Sequence, residues 1–361
     1  MRSVSVNLAE RRYTIHIGSG LLGELGGILA QIDLPRKVGV FTNPELSGYG
    51  ERVIGSLKRA GFDPWLCLVP SGDEHKSLEE ASRLYGVMLD HRMDRRSALV
   101  ALGGGMIGDL TGFVAATYMR GIPFVQVPTT LLAQVDASVG GKVAVNHPKA
   151  KNLIGAFHQP RSVIIDPETL KTLSDRDLRS GMAEVIKHGL ILDEGFLRLI
   201  EENVEKVNSP DMDFMEEMIA RSCRIKADVV ERDEREGGLR AILNFGHTIG
   251  HAVETATGYE RFRHGEAVSI GMICAGLISL RRGKLREEEL ERMYRLFDRI
   301  GLPTRVPTDL DLGKLLELIR HDKKVKAGRL NFVLLDEIGR AKIYDDVTEE
   351  EILVAMKEAR G

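Results

Sequence analysis

Three histidines and one glutamate carry the strongest chemical signal in the chain. His247 and His251 stand four apart in NFGHTIGHAVE, so a helix there puts both on one face. His264 opens the apolar run HGEAVSIGM, and Glu184 lies in GMAEVIKHG, three residues before Lys187 and four before His188. Two imidazoles and a carboxylate form a common catalytic zinc set that leaves positions open for substrate. The HExxH pattern of zinc proteases is absent. Spacing leaves the ligand choice open. His247 and His251 can share one metal, or one can bind metal while the other does acid–base or anion work.

A second signal is the glycine-rich turn GGGMIGD at 103–109, where Gly103, Gly105 and Gly108 fit G-x-G-x-x-G between a strand pattern and a helix pattern. Such a turn lets backbone approach a pyrophosphate, and the following helix N-terminus offers free N–H groups. The Rossmann pattern also places an acid about 20 residues on to hold the ribose. Here the first acid after Asp109 is Asp136, too far away, so a dinucleotide is expected to bind outside the standard Rossmann manner. A second polar turn, PSGDEHKS at 70–77, also follows a strand pattern.

Cations and amides cluster near these motifs. Lys142 follows DASVGG, Lys151 and Asn152 precede LIGAFHQP, and Arg120 ends the helix after the glycine turn. Lys226, Arg240 and Asn244 precede His247, and HDKKVKAG holds Lys323 and Lys324. Singly, each reads as surface charge. Together they suit a small, highly anionic substrate carrying carboxylate and phosphate.

The elements that must position these groups fall into two blocks. The 361 residues suggest two domains. Strand patterns at 37–42, 64–69, 97–102, 124–127 and 162–165, with helix patterns at 49–60 and 78–91, predict βαβ alternation and a mostly parallel sheet covered by helices. From about 174 the pattern turns helical, at 178–192, 194–207, 213–232, 246–256, 265–282 and 287–300. Short strands at 330–335 and 341–344 and a helix at 349–359, with Thr348 as N-cap, close the chain. The expected fold is an α/β nucleotide-binding domain over 1–173 and a mainly α metal- and substrate-binding domain over 174–361, with ligands meeting between them.

Composition narrows the function classes. Lys+Arg 50 against Asp+Glu 53 gives a net charge of −3, which argues against a nucleic-acid partner. The three cysteines, Cys67, Cys223 and Cys274, lie too far apart for a disulfide framework and suit a reducing cytosol. The longest uncharged apolar stretch, 267–280, falls short of the roughly 20 residues a membrane span needs. A cytoplasmic protein with no membrane partner is expected.

Taken together, GGGMIGDLTGFVAATYMRG, VPTTLLAQVDASVGGKVAVN, KNLIGAFHQP, GMAEVIKHG, LNFGHTIGHAVE and HGEAVSIGM resemble the 3-dehydroquinate synthase family of sugar-phosphate cyclases, in family order from about 70 to 335. The resemblance implies an NAD-binding α/β domain followed by an α domain. It implies zinc or cobalt on Glu184, His247 and His264, which releases His251 for the substrate. NAD would contact Ser71, Gly72, Asp73, Glu74, His75 and Lys76. Further NAD contacts would be Gly105, Met106, Ile107, Gly108 and Asp109, then Thr129, Thr130, Lys142 and Lys151, and finally Thr169, Leu170, Lys171 and Thr172.

The substrate's acidic groups would meet Lys142, Asn152, Lys187, Lys226, Arg240, Asn244, His251 and one lysine of the 323–324 pair, Lys324 being preferred. Arg120 would reach across a homodimer interface, and Asp136 would sit near the reacting hydroxyls. Asp136, Lys142, Lys187 and His251 would be the catalytic set. The implied reaction, a step of the shikimate pathway to aromatic amino acids, converts 3-deoxy-D-arabino-heptulosonate 7-phosphate to 3-dehydroquinate and phosphate. NAD takes a hydride and returns it, phosphate leaves in between, and an intramolecular aldol closes the ring. Three rivals are a related cyclase acting on another sugar phosphate, a metal-dependent polyol dehydrogenase, and a non-catalytic NAD-binding protein. The first is disfavoured by the abundance of carboxylate-binding cations.

Overall fold

The computed structural model describes residues 1–321, 325–326 and 329–360. The chain divides into two compact units, Met1–Leu173 with Met212–Arg235, and Ser174–Asp211 with Glu236–Gly361. Among the described residues, no helix is long and apolar enough to cross a membrane.

The first unit is built on a seven-stranded sheet. Its strands are β1 (Arg2–Val6), β2 (Tyr13–Ile17), β3 (Lys37–Thr42), β4 (Asp63–Leu68), β5 (Ser97–Gly103) and β6 (Phe124–Pro128), followed, after a separate hairpin of β7 (Lys142–His147) and β8 (Ala150–Phe157), by β9 (Ser162–Ile165). The spatial order is β1-β2-β9-β6-β5-β3-β4. Only β1 runs antiparallel, against β2; the other neighbours are parallel.

Side-chain alternation explains the layers. Val38, Val40, Ala98, Val100 and Leu102 enter a core with α1 (Leu21–Leu29) and α2 (Ser47–Arg59). Phe41, Leu99 and Ala101 enter the opposite core with α3 (Leu78–Asp90) and α4 (Gly105–Thr117). Near-continuous apolar runs whose successive residues enter opposite cores are the signature of a sheet covered on both faces.

The second unit is mainly helical. Its helices are α5 (Asp175–Leu192), α6 (Glu194–Glu202) and α7 (Val204–Asn208), then, beyond α8 (Met212–Arg232) of the first unit, α9 (His247–Ala256), α10 (His264–Arg281), α11 (Glu287–Ile300), α12 (Leu312–His321) and α13 (Glu349–Glu358). Two short ribbons, Val325–Lys326 with Arg329–Leu330 and Phe332–Glu337 with Arg340–Tyr344, complete it. Helix α10 is buried on nearly every side and packs against α5, α9, α11 and α13. This is why its sequence shows no polar stripe.

Thr348 caps α13 as expected: its hydroxyl accepts from Glu351 N at 3.2 Å, and the Glu351 carboxylate reaches back to Thr348 N at 2.8 Å. Helix α8 departs from the linear order. It packs on β1, β2 and the 133–137 turn, and so belongs to the first unit although second-unit residues flank it in sequence. The expected helix at 194–207 is broken at Asn203, where φ is −126°.

Candidate active site

In the second unit, three helices bring Glu184, His247 and His264 together. Ser174 starts α5 by accepting Asp177 N at 3.1 Å, and Asp175 and Asp177 complement the helix dipole. Glu184 then falls on the buried side of α5 and is fully sealed from solvent. His247 and His264 are the first residues of α9 and α10. A Cβ on Gly265 would stand 1.9 Å from Ser180 O, and a Cβ on Gly271 would stand 1.9 Å from Gly246 O. Glycine at these two positions lets α10 approach both α5 and the start of α9 more closely than any side chain permits.

The resulting geometry fits a metal ion. Glu184 Oε1 lies 3.6 Å from His247 Nε2 and 3.8 Å from His264 Nε2. One donor atom from each residue falls within 4.8 Å of the other two. Glu184 Oε1 is buried without a hydrogen-bond partner among the described residues, while Oε2 accepts from the buried Lys187 Nζ. A sealed carboxylate oxygen facing two imidazole nitrogens is costly unless a cation sits among them. The donor set, N2O, is one that Zn2+ and related divalent ions accept.

His251 is half-buried, its ring centroid 5.3 Å from that of His247 and 6.0 Å from that of His264. Arg240 is buried in the turn Leu239–Asn244. Asn244 Nδ2 donates to Glu236 Oε1 at 2.9 Å.

In the first unit, the nucleotide-binding stretches expected from the sequence all follow the C-terminal ends of parallel strands. Residues 71–76 follow β4, 105–109 follow β5, 129–130 follow β6 and 169–172 follow β9. Open α/β sheets bind ligands at this edge. Thr129 N donates to Gly103 O at 3.0 Å, tying two of these ends together. Gly105, Met106, Ile107, Gly108 and Asp109 form the first turn and more of α4, whose first N–H groups lack acceptors within the helix. Thr130 Oγ1 accepts Ala133 N at 3.2 Å, and Thr169 Oγ1 accepts from Gln134 Nε2 at 3.1 Å.

Charged groups converge there too. The buried Lys76 ammonium donates to Asp109 Oδ2 and, at 2.5 Å, to Asn152 Oδ1. Lys151 pairs with Asp73, and Asn146 Nδ2 donates to Asp73 Oδ2 at 3.1 Å. Burial pushes the Asp109 carboxyl up, Lys76 opposes that shift, and the nearby Asp136 and Asp73 reinforce it. Asp136 lies in a single π-helical turn, Ala133–Ala137, and Lys226 of α8 donates to its Oδ1 and its carbonyl, both at 2.5 Å. Lys142 is exposed at the start of β7.

Other expected residues make local contacts of their own. Ser71 Oγ donates to Glu45 Oε2 at 2.5 Å, Gly72 has φ 114°, and His75 lies 3.9 Å from Glu74. Leu170 is buried, whereas Lys171 pairs with Glu168 on the surface and the Thr172 hydroxyl meets Tyr49 at 3.0 Å. Arg120 is exposed just beyond α4, and it and Met119 both have left-handed backbone, φ 67° and 52°. Lys323 and Lys324 lie outside the described residues. Burial pushes the Cys223 and Cys274 thiols up to about 12, far from a thiolate at neutral pH.

Sequence reasoning passed over Glu254. It stands seven residues after His247, two helical turns along the same face, and accepts from His264. That spacing was the available signal. Gly265 and Gly271 were also missed, because only the packing of α10 shows what their missing side chains permit.

Comparison with known proteins separates the rival readings. Residues 66–180 match the family "3-dehydroquinate synthase N-terminal", and residues 181–325 match "3-dehydroquinate synthase C-terminal". The 3-dehydroquinate synthase of Desulforamulus reducens is 49% identical over 359 residues, covering 99% of this chain and 100% of that one. A solved 2-deoxy-scyllo-inosose synthase, complexed with carbaglucose-6-phosphate, NAD+ and Co2+, superposes with a TM-score of 0.90 at 27% identity, over 99% and 100% of the two chains. A 2-epi-5-epi-valiolone synthase from Streptomyces hygroscopicus with NAD+ and Zn2+ gives 0.87 at 28%, over 96% of each. The fold is therefore shared across sugar-phosphate cyclases, while identity nearly doubles towards one branch: the chain belongs to the 3-dehydroquinate synthase family.

Proposed function

We propose that the chain is a 3-dehydroquinate synthase. It converts 3-deoxy-D-arabino-heptulosonate 7-phosphate to 3-dehydroquinate and phosphate, a carbon–oxygen lyase reaction dependent on NAD and a divalent metal. The observation that carries this reading is the meeting of Glu184 Oε1 with two imidazole Nε2 atoms at 3.6 and 3.8 Å, in a chain so close to that family over its full length. Bound NAD and metal supply a reversible hydride acceptor and a Lewis acid for the substrate hydroxyls.

The chain's own groups do the rest. Glu184, His247 and His264 hold the metal. The turns after β4, β5, β6 and β9 hold NAD, with Lys142 and Lys151 on its flank. Arg240, Asn244, Lys226, Asn152 and Lys187 bind the substrate's anionic groups, and Lys324 is assigned with them. Cationic donors already ordered before substrate arrives stabilise a departing phosphate at little reorganisation cost. Asp136 orients the reacting hydroxyls, and a ring nitrogen of His251 moves protons. Arg120, exposed just beyond α4, serves the site of the other chain in a homodimer. The enzyme acts in the cytoplasm, where its three free cysteines stay reduced.

The test is phosphate release from 3-deoxy-D-arabino-heptulosonate 7-phosphate with NAD and zinc well below substrate. Many phosphates per NAD, without lasting NADH absorbance, are expected. No release from folded, zinc-loaded protein overturns the reading. Release only from a sugar phosphate lacking the carboxylate moves the chain to another cyclase.

A further inference from the structure

We propose that Glu254 is a positioning residue of the metal centre, whose carboxylate fixes His264 through Nδ1 so that the Nε2 lone pair faces Glu184 and His247. The inference rests on the reading of His264 as a metal ligand.

The two ligand histidines are oriented in parallel ways. His247 Nδ1 lies 3.1 Å from Phe245 O, and its Nε2 is the atom turned to Glu184. His264 Nδ1 lies 3.3 Å from Glu254 Oε2, and again Nε2 is turned to Glu184. In each ring one nitrogen is spent on an oxygen acceptor. A neutral imidazole with its proton on Nδ1 can offer a lone pair only from Nε2. For His247 the acceptor is main chain and beyond the reach of mutation. For His264 it is a side chain, nine-tenths buried, on the helix that also carries His247. Helix α9 thus gives one ligand directly and aims a second that starts the next helix. Outer-shell carboxylates of this kind set ligand orientation and basicity.

The same neighbourhood admits a rival role. His251, Glu254 and His264 also bring one donor atom each within 4.8 Å, so Glu254 is a conceivable ligand in its own right. A ligand role for Glu254 competes with the hydrogen bond its carboxylate already offers His264 Nδ1. It leaves the sealed Glu184 Oε1 without a cation. The positioning role satisfies both ends of the ring at once.

The experiment titrates metal-free protein with Zn2+ against a competing chelator and records the visible absorption of the Co2+ form. Wild type, Glu254→Gln, Glu254→Ala and His251→Ala are compared. Glu254→Ala is expected to weaken zinc binding about 10- to 100-fold and to alter the Co2+ spectrum. Glu254→Gln, whose amide oxygen still accepts from Nδ1, is expected to lose less. His251→Ala is expected to keep both wild-type affinity and spectrum. Unchanged affinity and spectrum in both Glu254 variants overturn the proposal, and so does a loss in His251→Ala equal to that in Glu254→Ala. Failure of wild type to bind zinc overturns instead the metal reading beneath it. Far-ultraviolet circular dichroism on the isosteric Glu254→Gln separates these outcomes from misfolding.

Discussion

Glu184 and Lys187 form an ion pair one helical turn apart, with side chains 0% and 1% exposed. The carboxylate divides its work, since Oε2 meets Lys187 and Oε1 meets the two imidazoles. Breaking a buried pair by removing one partner costs about 3–5 kcal/mol, because the remaining charge is stranded. Lys187→Met should therefore destabilise metal-free protein strongly in urea. Zinc should recover part of the deficit, because a cation beside Oε1 also compensates the stranded carboxylate. Equal losses with and without zinc would remove the metal from this cluster. By the same reasoning, Glu184→Ala strands Lys187 and is a harsher change than loss of a ligand alone.

A second expectation concerns the helix seam. An added Cβ at Gly271 meets Gly246 O at 1.9 Å, and backbone on both sides cannot yield cheaply. Gly271→Ala should cost about 1–3 kcal/mol of stability and weaken zinc binding together, since Gly246 immediately precedes His247, proposed above as a ligand. Gly86→Ala, in the middle of α3 with nothing within 4 Å of the new Cβ, should instead gain up to about 1 kcal/mol. Urea midpoints of the two variants, with zinc affinity for the first, check both signs.

Acid lability supplies a third. The Arg282 guanidinium, donating at 2.7 and 2.9 Å, holds the Glu351 carboxyl down from its ordinary 4.5 to about 2. Between those values the unfolded chain binds a proton that the folded chain does not. The pair's contribution is therefore complete above about pH 4.5 and fades as pH falls towards 2. Glu351→Gln should lower stability at pH 6 and flatten its decline between pH 4.5 and 3, measured by urea unfolding at each pH. A decline as steep as in wild type would refute the assignment.

Local pattern carried much of this structure. The strand Lys37–Thr42 and the helix Glu287–Ile300 stand where a buried apolar run and a helical period put them. Helix α12 escaped notice despite a stripe of Leu312, Leu315, Leu316 and Ile319 and a cap from Asp311 Oδ1 to Lys314 N at 2.9 Å. It is short, and its neighbours in sequence gave no boundary to frame it. The β7–β8 hairpin was hidden for another reason. Strand β8 buries little of either face, so no hydrophobic period marks it. At the site, helical spacing made His247 and His251 equivalent candidates. What distinguishes them is the approach of α5, a contact distant in sequence that no local period encodes.

The placement of α8 bears on how the chain is made. The first unit's sheet is complete at β9, yet β1 and the Asp136 turn lack their packing partner until residues 212–235 have been synthesised. Ser174–Asp211, which belongs to the other unit, leaves the ribosome first. The nascent N-terminal sheet must wait with one flank bare, so a nick or truncation near residue 173 yields not a free-standing nucleotide-binding fragment but one that exposes apolar surface and favours aggregation.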